Sequence, residues 1–194
     1  GEGIPYEFTG TRLTDDEGDV RGIIGIGRDI AERKARLEKH QQQEAAFRKL
    51  HQTASKAIPL EEKIADLLEF GRQYMGVEQG FFTEFDEDTQ RIVVGVGPND
   101  QLKDGAAAPF SESYCRHTVE LDGEEPLTVT NAAEEGWKDD PAYERFGLAC
   151  YVGSTVSVDG ETVGTICFAD RDPTDREFTE IQETFVELLT EWIS

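Results

Sequence analysis

The residues best suited to chemistry in this sequence are Cys115 and His117, two positions apart in the segment SYCRHTV. A cysteine reacts as its thiolate, and cationic neighbours such as Arg116 and His117 lower the pKa of a thiol. Cys115 and Val119, however, share one face of the helix predicted here, so Cys115 is expected to face the core and His117 to point elsewhere. The segment favours a buried core thiol. A redox-active thiol, a thiol attached to a ligand and a metal ligand remain as alternatives.

The other two cysteines, Cys150 and Cys167, lie on neighbouring predicted strands and are interpreted as small buried apolar residues. The cysteines are odd in number, far apart, and show no Cys-x-x-Cys or metal-like spacing. This favours reduced thiols in an intracellular protein, and a cytoplasmic location is expected.

Aromatic residues are the candidate lining of a small-molecule pocket. Walls of aromatic rings with few polar groups suit a small planar ligand, although plain core packing explains the same residues. Phe81 and Phe82 are consecutive on a predicted strand and point to opposite faces, so only one reaches a pocket. Trp137 is the most suggestive, because it lies in the polar stretch GWKDDP. The predicted ligand-binding set is Phe82, Tyr114, Cys115, Trp137, Tyr143, Phe146 and Tyr151.

Motifs of known catalytic machinery do not stand out. The sequence has no Gly-x-Ser-x-Gly elbow, no His-Glu-x-x-His helix and no Walker loop. The glycines of GIIGIGRD, residues 22–29, alternate with isoleucines in a predicted strand instead of opening a helix. The chain is therefore predicted not to be an enzyme, and its cofactor, if it has one, is unknown.

The charge of the chain is strongly negative, with 41 Asp and Glu against 19 Lys and Arg and a net charge of −22. The acidic residues are spread over the whole length, which is typical of a surface kept soluble in concentrated salt, and suggests a halophilic source. The same charge disfavours binding to nucleic acid and to an anionic membrane, because no basic patch is available for phosphates. No apolar run is long enough to span a membrane, and no signal peptide is present at the start.

The apolar periodicity and turn signals predict an α+β fold with a central antiparallel sheet flanked by helices. Helices on one face, and the insertions of residues 98–148 on the other, are expected to leave a concave pocket. Strands are predicted at 4–13, 20–30, 78–86, 91–97, 126–131, 150–158 and 162–169, the last two joined by Asp159-Gly160. Helices are predicted at 30–57, about 60–75, 112–121 with Ser111 as the cap, 141–146 and 177–193.

The long helix over residues 30–57 carries an apolar stripe at spacings near three, four and seven. Such a stripe favours a parallel homodimer through this helix, and a solvated linker helix docked on its own domain is the alternative. Asp29 is the expected N-cap of this helix. The stripe is formed by Leu37, Phe47, Leu50, Ala54 and Ile58.

Three stretches, SESYCRH, DPAYERFGL and GTICFADRDP, resemble GAF domains, which are small-molecule sensing modules, and the resemblance covers about 57–194. It implies a sensory or regulatory module, residues 58–194, that binds a small molecule or responds to redox state and relays the change through dimer helices. A ligand-free GAF domain acting as a dimerisation spacer is the alternative. GAF domains with a linear tetrapyrrole resemble this one but carry adjacent Cys and His. Here Arg116 separates them, and the Asn-Lys-Phe-Asp-Glu signature of cyclic-nucleotide binders is also missing.

The stretch DIAERK, residues 29–34, resembles the C-terminal end of a PAS domain. The resemblance implies that residues 1–29 are the last hairpin of a partial PAS domain and that 30–57 is a signalling helix. The chain begins at Gly1 without Met, and we expect it to be a piece of a longer protein. The parent resembles haloarchaeal PAS–GAF signal-transduction proteins, which are two-component histidine kinases or regulators of the bacterio-opsin-activator type.

Overall fold

The computed structural model describes residues 5–86, 88–121 and 125–194. Its contacts divide the chain into two compact units, and the division falls between Ala46 and Phe47. The predicted start of the first strand, Ile4, lies outside the described residues.

The smaller unit contains a β-hairpin of β1 (Tyr6–Thr14) and β2 (Val20–Asp29), paired from Tyr6 opposite Asp29 to Leu13 opposite Gly22. Helix α1 (Ala31–Ala54) begins in this unit. The carboxylate of Asp29 accepts a hydrogen bond from the backbone N–H of Ala31, the first residue of α1, at 2.8 Å, so the helix begins one residue later than predicted and Asp29 lies just before its N-cap position. Most apolar side chains of the hairpin are exposed, with Phe8 at 77% and Ile23 at 76%.

The larger unit is built on a six-stranded antiparallel sheet, which confirms the predicted α+β class. The strand order is β5-β4-β3-β8-β7-β6. Helices α2 and α5 pack on one face, called the helix face below. The segment between β4 and β7 covers the other, called the loop face. The strands are β3 (Gln79–Asp86), β4 (Thr89–Val96), β5 (Ala107–Pro109), β6 (Leu127–Val129), β7 (Cys150–Val158) and β8 (Glu161–Asp170). The helices are α2 (Leu60–Met75), α3 (Cys115–Glu120), α4 (Pro141–Phe146) and α5 (Glu180–Ile193).

The predicted hairpin between β7 and β8 turns at Asp159 and Gly160, whose φ angles are 52° and 83°. Both angles are positive, as a two-residue type I′ turn requires, and this explains the Asp-Gly pair. Past the turn, Ser157 pairs with Thr162 but Val156 pairs with Gly164, so a β-bulge adds one residue to β8.

The structure corrects the predicted helix at 112–121. A single 3-10 turn spans Phe110–Glu112, and α3 begins only at Cys115. Ser111 does not cap α3, and Tyr114 precedes the helix with no side-chain cap. The hydroxyl of Ser113 bonds back to the Phe110 carbonyl, which holds a separate turn before the helix. The predicted loop before it also contains β5, which pairs with β4.

The last helix begins three residues later than predicted, at Glu180. Thr179 accepts from the backbone N–H of Gln182, and the Gln182 side chain accepts from the Thr179 N–H, which forms a capping box. On the helix face, α2 and α5 enclose the rings of Phe168 and Phe185, which contact each other and fill the space beside Gly71.

Candidate functional site

The loop face carries a buried cluster that holds most of the residues predicted to bind a ligand. Residues 98–121 and 125–148 close over the sheet here and pack apolar side chains against β3, β7 and β8. Tyr114, Cys115, Phe146 and Tyr151 are buried members of the cluster. Trp137 and Tyr143 are half-buried and pack against it. The fold thus brings six of the seven predicted residues to one face of the sheet.

A small cavity lies inside this cluster, with a volume of about 10 Å³. That is space for roughly one water molecule. The expected concave pocket is therefore filled by side chains in this structure. The cavity is lined by Phe81, Gln90, Leu102, Ser113, Tyr114, Cys115, Phe146, Leu148 and Tyr151.

Phe82 does not reach the cavity, and Phe81 takes its place. Phe81 pairs with Cys167 and points to the loop face, whereas Phe82 pairs with Ile166 and points to the helix face. The alternation used in the sequence analysis is correct, but it does not say which face of β3 lies under the loops. Phe82, which the sequence analysis included in the ligand-binding set, therefore lies on the opposite face from this cavity.

Gln90 is a polar residue of the cavity wall that the sequence analysis missed. It is the second residue of β4, and only 2% of its surface is exposed. Its Oε1 atom is buried and finds no hydrogen-bond partner within the described part of the chain. A buried amide oxygen without a partner is costly, so this acceptor is open to a donor placed in the cavity. In the sequence, Gln90 lies between Thr89 and Arg91, just before the strand predicted at 91–97, so no local signal marked it as a cavity residue.

Beside the cavity, two cysteines and three hydroxyl groups form a buried network. The Sγ atoms of Cys115 and Cys167 lie 4.0 Å apart. Thr165 Oγ1 donates to Cys115 Sγ at 3.2 Å and lies 2.8 Å from Thr83 Oγ1. The hydroxyl of Tyr151 lies 3.0 Å from Cys167 Sγ. The prediction that Cys115 faces the core is therefore correct.

The network makes the two thiols unequal. The hydrogen bond from Cys167, followed by those from Thr165 and Thr83, lowers the pKa of Cys115 although burial opposes this. Burial, and then the Cys115 sulfur, raise the pKa of Cys167 well above its ordinary value. Cys115 is the group of the pair that loses its proton first.

Cys150 behaves differently from this pair. It is buried, as predicted, and burial with the nearby Asp170 carboxylate raises the pKa of its thiol to about 11. Cys150 is the first residue of β7 and pairs with Asp170, the last residue of β8, away from the Cys115 network. All three cysteines are free thiols.

Asp140 links the loops over the cavity to α3 through hydrogen bonds and an ion pair. One carboxylate oxygen of Asp140 accepts from the Ala142 N–H at 2.8 Å and caps α4. The other forms an ion pair with Arg116 and lies 3.0 Å from His117 Nε2. Burial opposes ionisation of Asp140, but the hydrogen bond of His117, then the Ala142 N–H and the Arg116 charge, lower its pKa.

Trp137 packs on the outer side of the contacts between Asp140 and α3. Its ring packs edge-on against His117, with centroids 4.6 Å apart, and against Tyr114 at 5.7 Å. The sequence analysis singled out Trp137 because an exposed indole in a polar loop is unusual. Its half-buried ring packs directly on two side chains of the cavity wall and α3, so its environment depends on the position of α3.

The structure gives no metal centre in the part it describes, since no group of three His, Cys, Asp or Glu residues there has ligand geometry. Among the described helices, none is both long and apolar enough to cross a membrane.

Comparisons with known proteins decide the family. A family described as GAF domain matches residues 57–194, which is more than half of the chain. The chain belongs to the GAF domain family. GAF domains act in sensing and signalling, and they are generally regulatory. No curated protein matches the sequence.

Solved GAF domains share the fold at low sequence identity. The GAF domain of Acinetobacter phosphoenolpyruvate-protein phosphotransferase is 17% identical with a TM-score of 0.63, covering 79% of this chain and 90% of that one. Free methionine-R-sulfoxide reductase from Neisseria meningitidis, in complex with its substrate, is 14% identical with a TM-score of 0.61, covering 78% and 85%. The phycocyanobilin-bound GAF domain of a cyanobacterial phytochrome is 13% identical with a TM-score of 0.61, covering 78% and 91%. At these identities the likeness establishes the fold alone.

Proposed function

We propose that this GAF domain is a sensory module whose ligand site is the loop-face cavity beside Gln90. The observation that carries the proposal is the Oε1 of Gln90, buried without a partner among the described residues at a cavity whose wall includes the rings of Phe81, Tyr114, Phe146 and Tyr151. A small planar molecule that stacks on these rings and donates one hydrogen bond to Gln90 fits this chemistry. The present cavity has space for about one water, so the ligand enters only when the loops over it move outward.

The proposal is tested by native mass spectrometry of the full chain and of Gln90→Leu, both prepared in high salt. We expect the unsubstituted chain to carry extra mass that is lost on denaturation, and Gln90→Leu to lack it. The matched control is Gln101→Leu, which makes the same change at an exposed position and should keep the extra mass. Equal extra mass on all three proteins would place the ligand elsewhere.

The second candidate is a GAF domain that holds no ligand and acts as a dimerisation spacer. The size of the cavity favours it, because the structure fills the expected pocket with side chains. Bare masses for all three proteins support this function and contradict the ligand site.

For the relay of the signal we propose a parallel homodimer through α1. Leu37 and Phe47 of the predicted stripe are each 55% exposed, which supports a partner on this face, whereas Leu50 is buried. Light scattering of the full chain should give a dimer, and Leu37→Glu combined with Phe47→Glu should give a monomer. A monomer before substitution rejects the dimer.

The wider context is also a proposal. Both faces of the β1–β2 hairpin expose apolar side chains, including Phe8 and Ile26, which supports its origin as the end of a larger sheet such as that of a PAS domain. The net charge of −22 supports a haloarchaeal parent of the histidine kinase or bacterio-opsin-activator type. We propose no catalytic activity for this segment, no contact with nucleic acid or membrane, and a cytoplasmic location.

A further inference from the structure

We propose that Cys115 and Cys167 form a reversible intramolecular disulfide when a hydroperoxide enters the loop-face cavity, and that this bond changes the position of α3. The proposal rests on the sensory function for its consequence, but the bond itself can be tested without any ligand.

The geometry supports bond formation because the two sulfurs already face each other. Their separation is 4.0 Å, so they must approach by about 2 Å to reach the length of a disulfide bond. Cys167 is fixed in the middle of β8, between its partners Phe81 and Gly153. Cys115 lies in the first turn of α3, a helix of only six residues. The approach is therefore expected to come from α3, because the central strand is held on both sides.

The surrounding groups favour attack on the peroxide by the Cys115 sulfur and later attack on the oxidised Cys115 by the Cys167 sulfur. Hydrogen bonds from the Cys167 thiol and from Thr165 stabilise negative charge on Cys115. Cys115 also lines the cavity, so a small oxidant that enters when the loops move outward meets this sulfur. Cys167 keeps its proton and lies behind Cys115, within reach of the Tyr151 hydroxyl. A low-pKa thiol poised beside a resolving cysteine is the arrangement that redox-sensing cysteines use.

The chemistry balances with hydrogen peroxide as the oxidant. The Cys115 thiolate attacks one oxygen, the O–O bond breaks, and the departing hydroxide takes up the proton that Cys115 had released, leaving as water. Cys115 then carries a sulfenic acid. The Cys167 sulfur attacks the Cys115 sulfur, its proton goes to the departing hydroxide, and a second water leaves as the S–S bond forms. The two sulfurs lose two electrons in total, and the peroxide is reduced to two waters.

Movement of α3 provides the link to the rest of the domain. Arg116 and His117, the next two residues of α3, hold Asp140, and Asp140 caps α4. A shift of Cys115 toward the sheet therefore displaces the contacts that fasten the loops over the cavity. The Trp137 ring rests on His117 and Tyr114, so it reports this movement.

The test treats the full chain with hydrogen peroxide, denatures it, alkylates the remaining thiols and measures the mass. We expect a monomer that has lost two hydrogen atoms and takes up one alkyl group, on Cys150. Peptide mapping should show Cys115 joined to Cys167, and dithiothreitol should restore three alkylation sites. Cys150→Ser is the matched control and should form the same bond. Three alkylated cysteines after peroxide, or a bond that involves Cys150, would overturn the proposal.

Two further measurements distinguish formation of the Cys115–Cys167 disulfide from the movement of α3 that it is proposed to cause. In Cys167→Ala, peroxide should oxidise Cys115 to the sulfenic or sulfinic acid without an intramolecular bond, and more slowly, because the hydrogen bond that most lowers the Cys115 pKa is also removed. Because this variant removes a buried side chain, its melting transition is recorded first, and the peptide map of the unsubstituted chain stands independently of it. In a Trp192→Phe background, Trp137 emission should shift on oxidation and return on reduction. A disulfide that leaves Trp137 emission unchanged overturns the switch, and the loss or retention of a bound ligand is read separately from the native mass.

Discussion

Replacing Gln90 by Leu tests the open acceptor in the cavity wall directly. Gln90 is 2% exposed, and its Oε1 has no partner in the described residues, so bulk water does not compensate for the missing hydrogen bond. Leucine has a similar volume and extends the apolar wall formed by Phe81 and Leu102. In protein freed of small molecules by denaturation and refolding, we therefore expect the variant to be more stable than the unsubstituted chain.

The expected size follows from the cost of an unpaired buried polar group. Leaving such a group without a hydrogen bond costs about 1–3 kcal/mol, so Gln90→Leu should raise the free energy of unfolding by about 2 kcal/mol. With a urea m-value of about 2 kcal/mol per molar for a domain of this size, the midpoint should rise by about 1 M.

The assay is urea unfolding in high salt, followed by circular dichroism, with Gln101→Leu as the exposed control. The control should change the unfolding free energy by less than about 0.5 kcal/mol. A lower midpoint for Gln90→Leu would falsify the reasoning, because it means that the amide is already satisfied in the folded protein and the cavity offers no open acceptor.

Three further predictions concern charge and packing. Stability should rise steeply in molar KCl, where the net charge of −22 is screened over about 3 Å; an equal melting temperature in dilute buffer contradicts a halophilic surface. Asp140→Asn should cost about 1–3 kcal/mol at neutral pH by weakening the contacts to Arg116 and His117. Because the folded state lowers the pKa of Asp140, its contribution is present above the unfolded pKa of about 3.9 and is lost as the pH falls through the folded value. The difference in urea midpoint between the two proteins should therefore shrink toward pH 3, and a constant difference argues against this assignment. Gly71→Ala should destabilise by about 1–3 kcal/mol, since the new Cβ would lie 2.3 Å from Phe168 Cζ; Gly22→Ala, with open space around it, is the control in the same thermal melt.

Local signals in the sequence were sufficient for most elements. Asp29 before a run without Gly or Pro predicted the start of α1 to within one residue, and its carboxylate accepts from the first helical N–H, that of Ala31. The helix predicted at 141–146 has its observed bounds, and the structure explains its start, since Asp140 caps it and Pro141 is its first residue. Ser111 failed as a cap, because it lies inside a separate 3-10 turn, Phe110–Glu112, that is closed by Ser113. Where several polar residues compete for the same turn, the sequence alone does not say which one begins the helix.

The same contrast holds for the candidate site: some of its features were predicted from the sequence, and others were decided only by the tertiary structure. The sequence by itself determined that aromatic residues from three separate segments accompany a cysteine on a short helix, and that the sheet is antiparallel. Only the tertiary structure decided which side of each strand faces the loops. The bulge in β8 is the clearest case: if the register at the turn continued along β8 without a bulge, Cys167 would pair with Val152 instead of Gly153 and point to the helix face. A one-residue change of register reverses the side of every following residue, and no local signal marks it. The meeting of Cys115 and Cys167, separated by 52 positions, follows from that register and from the closing of the loops over the sheet.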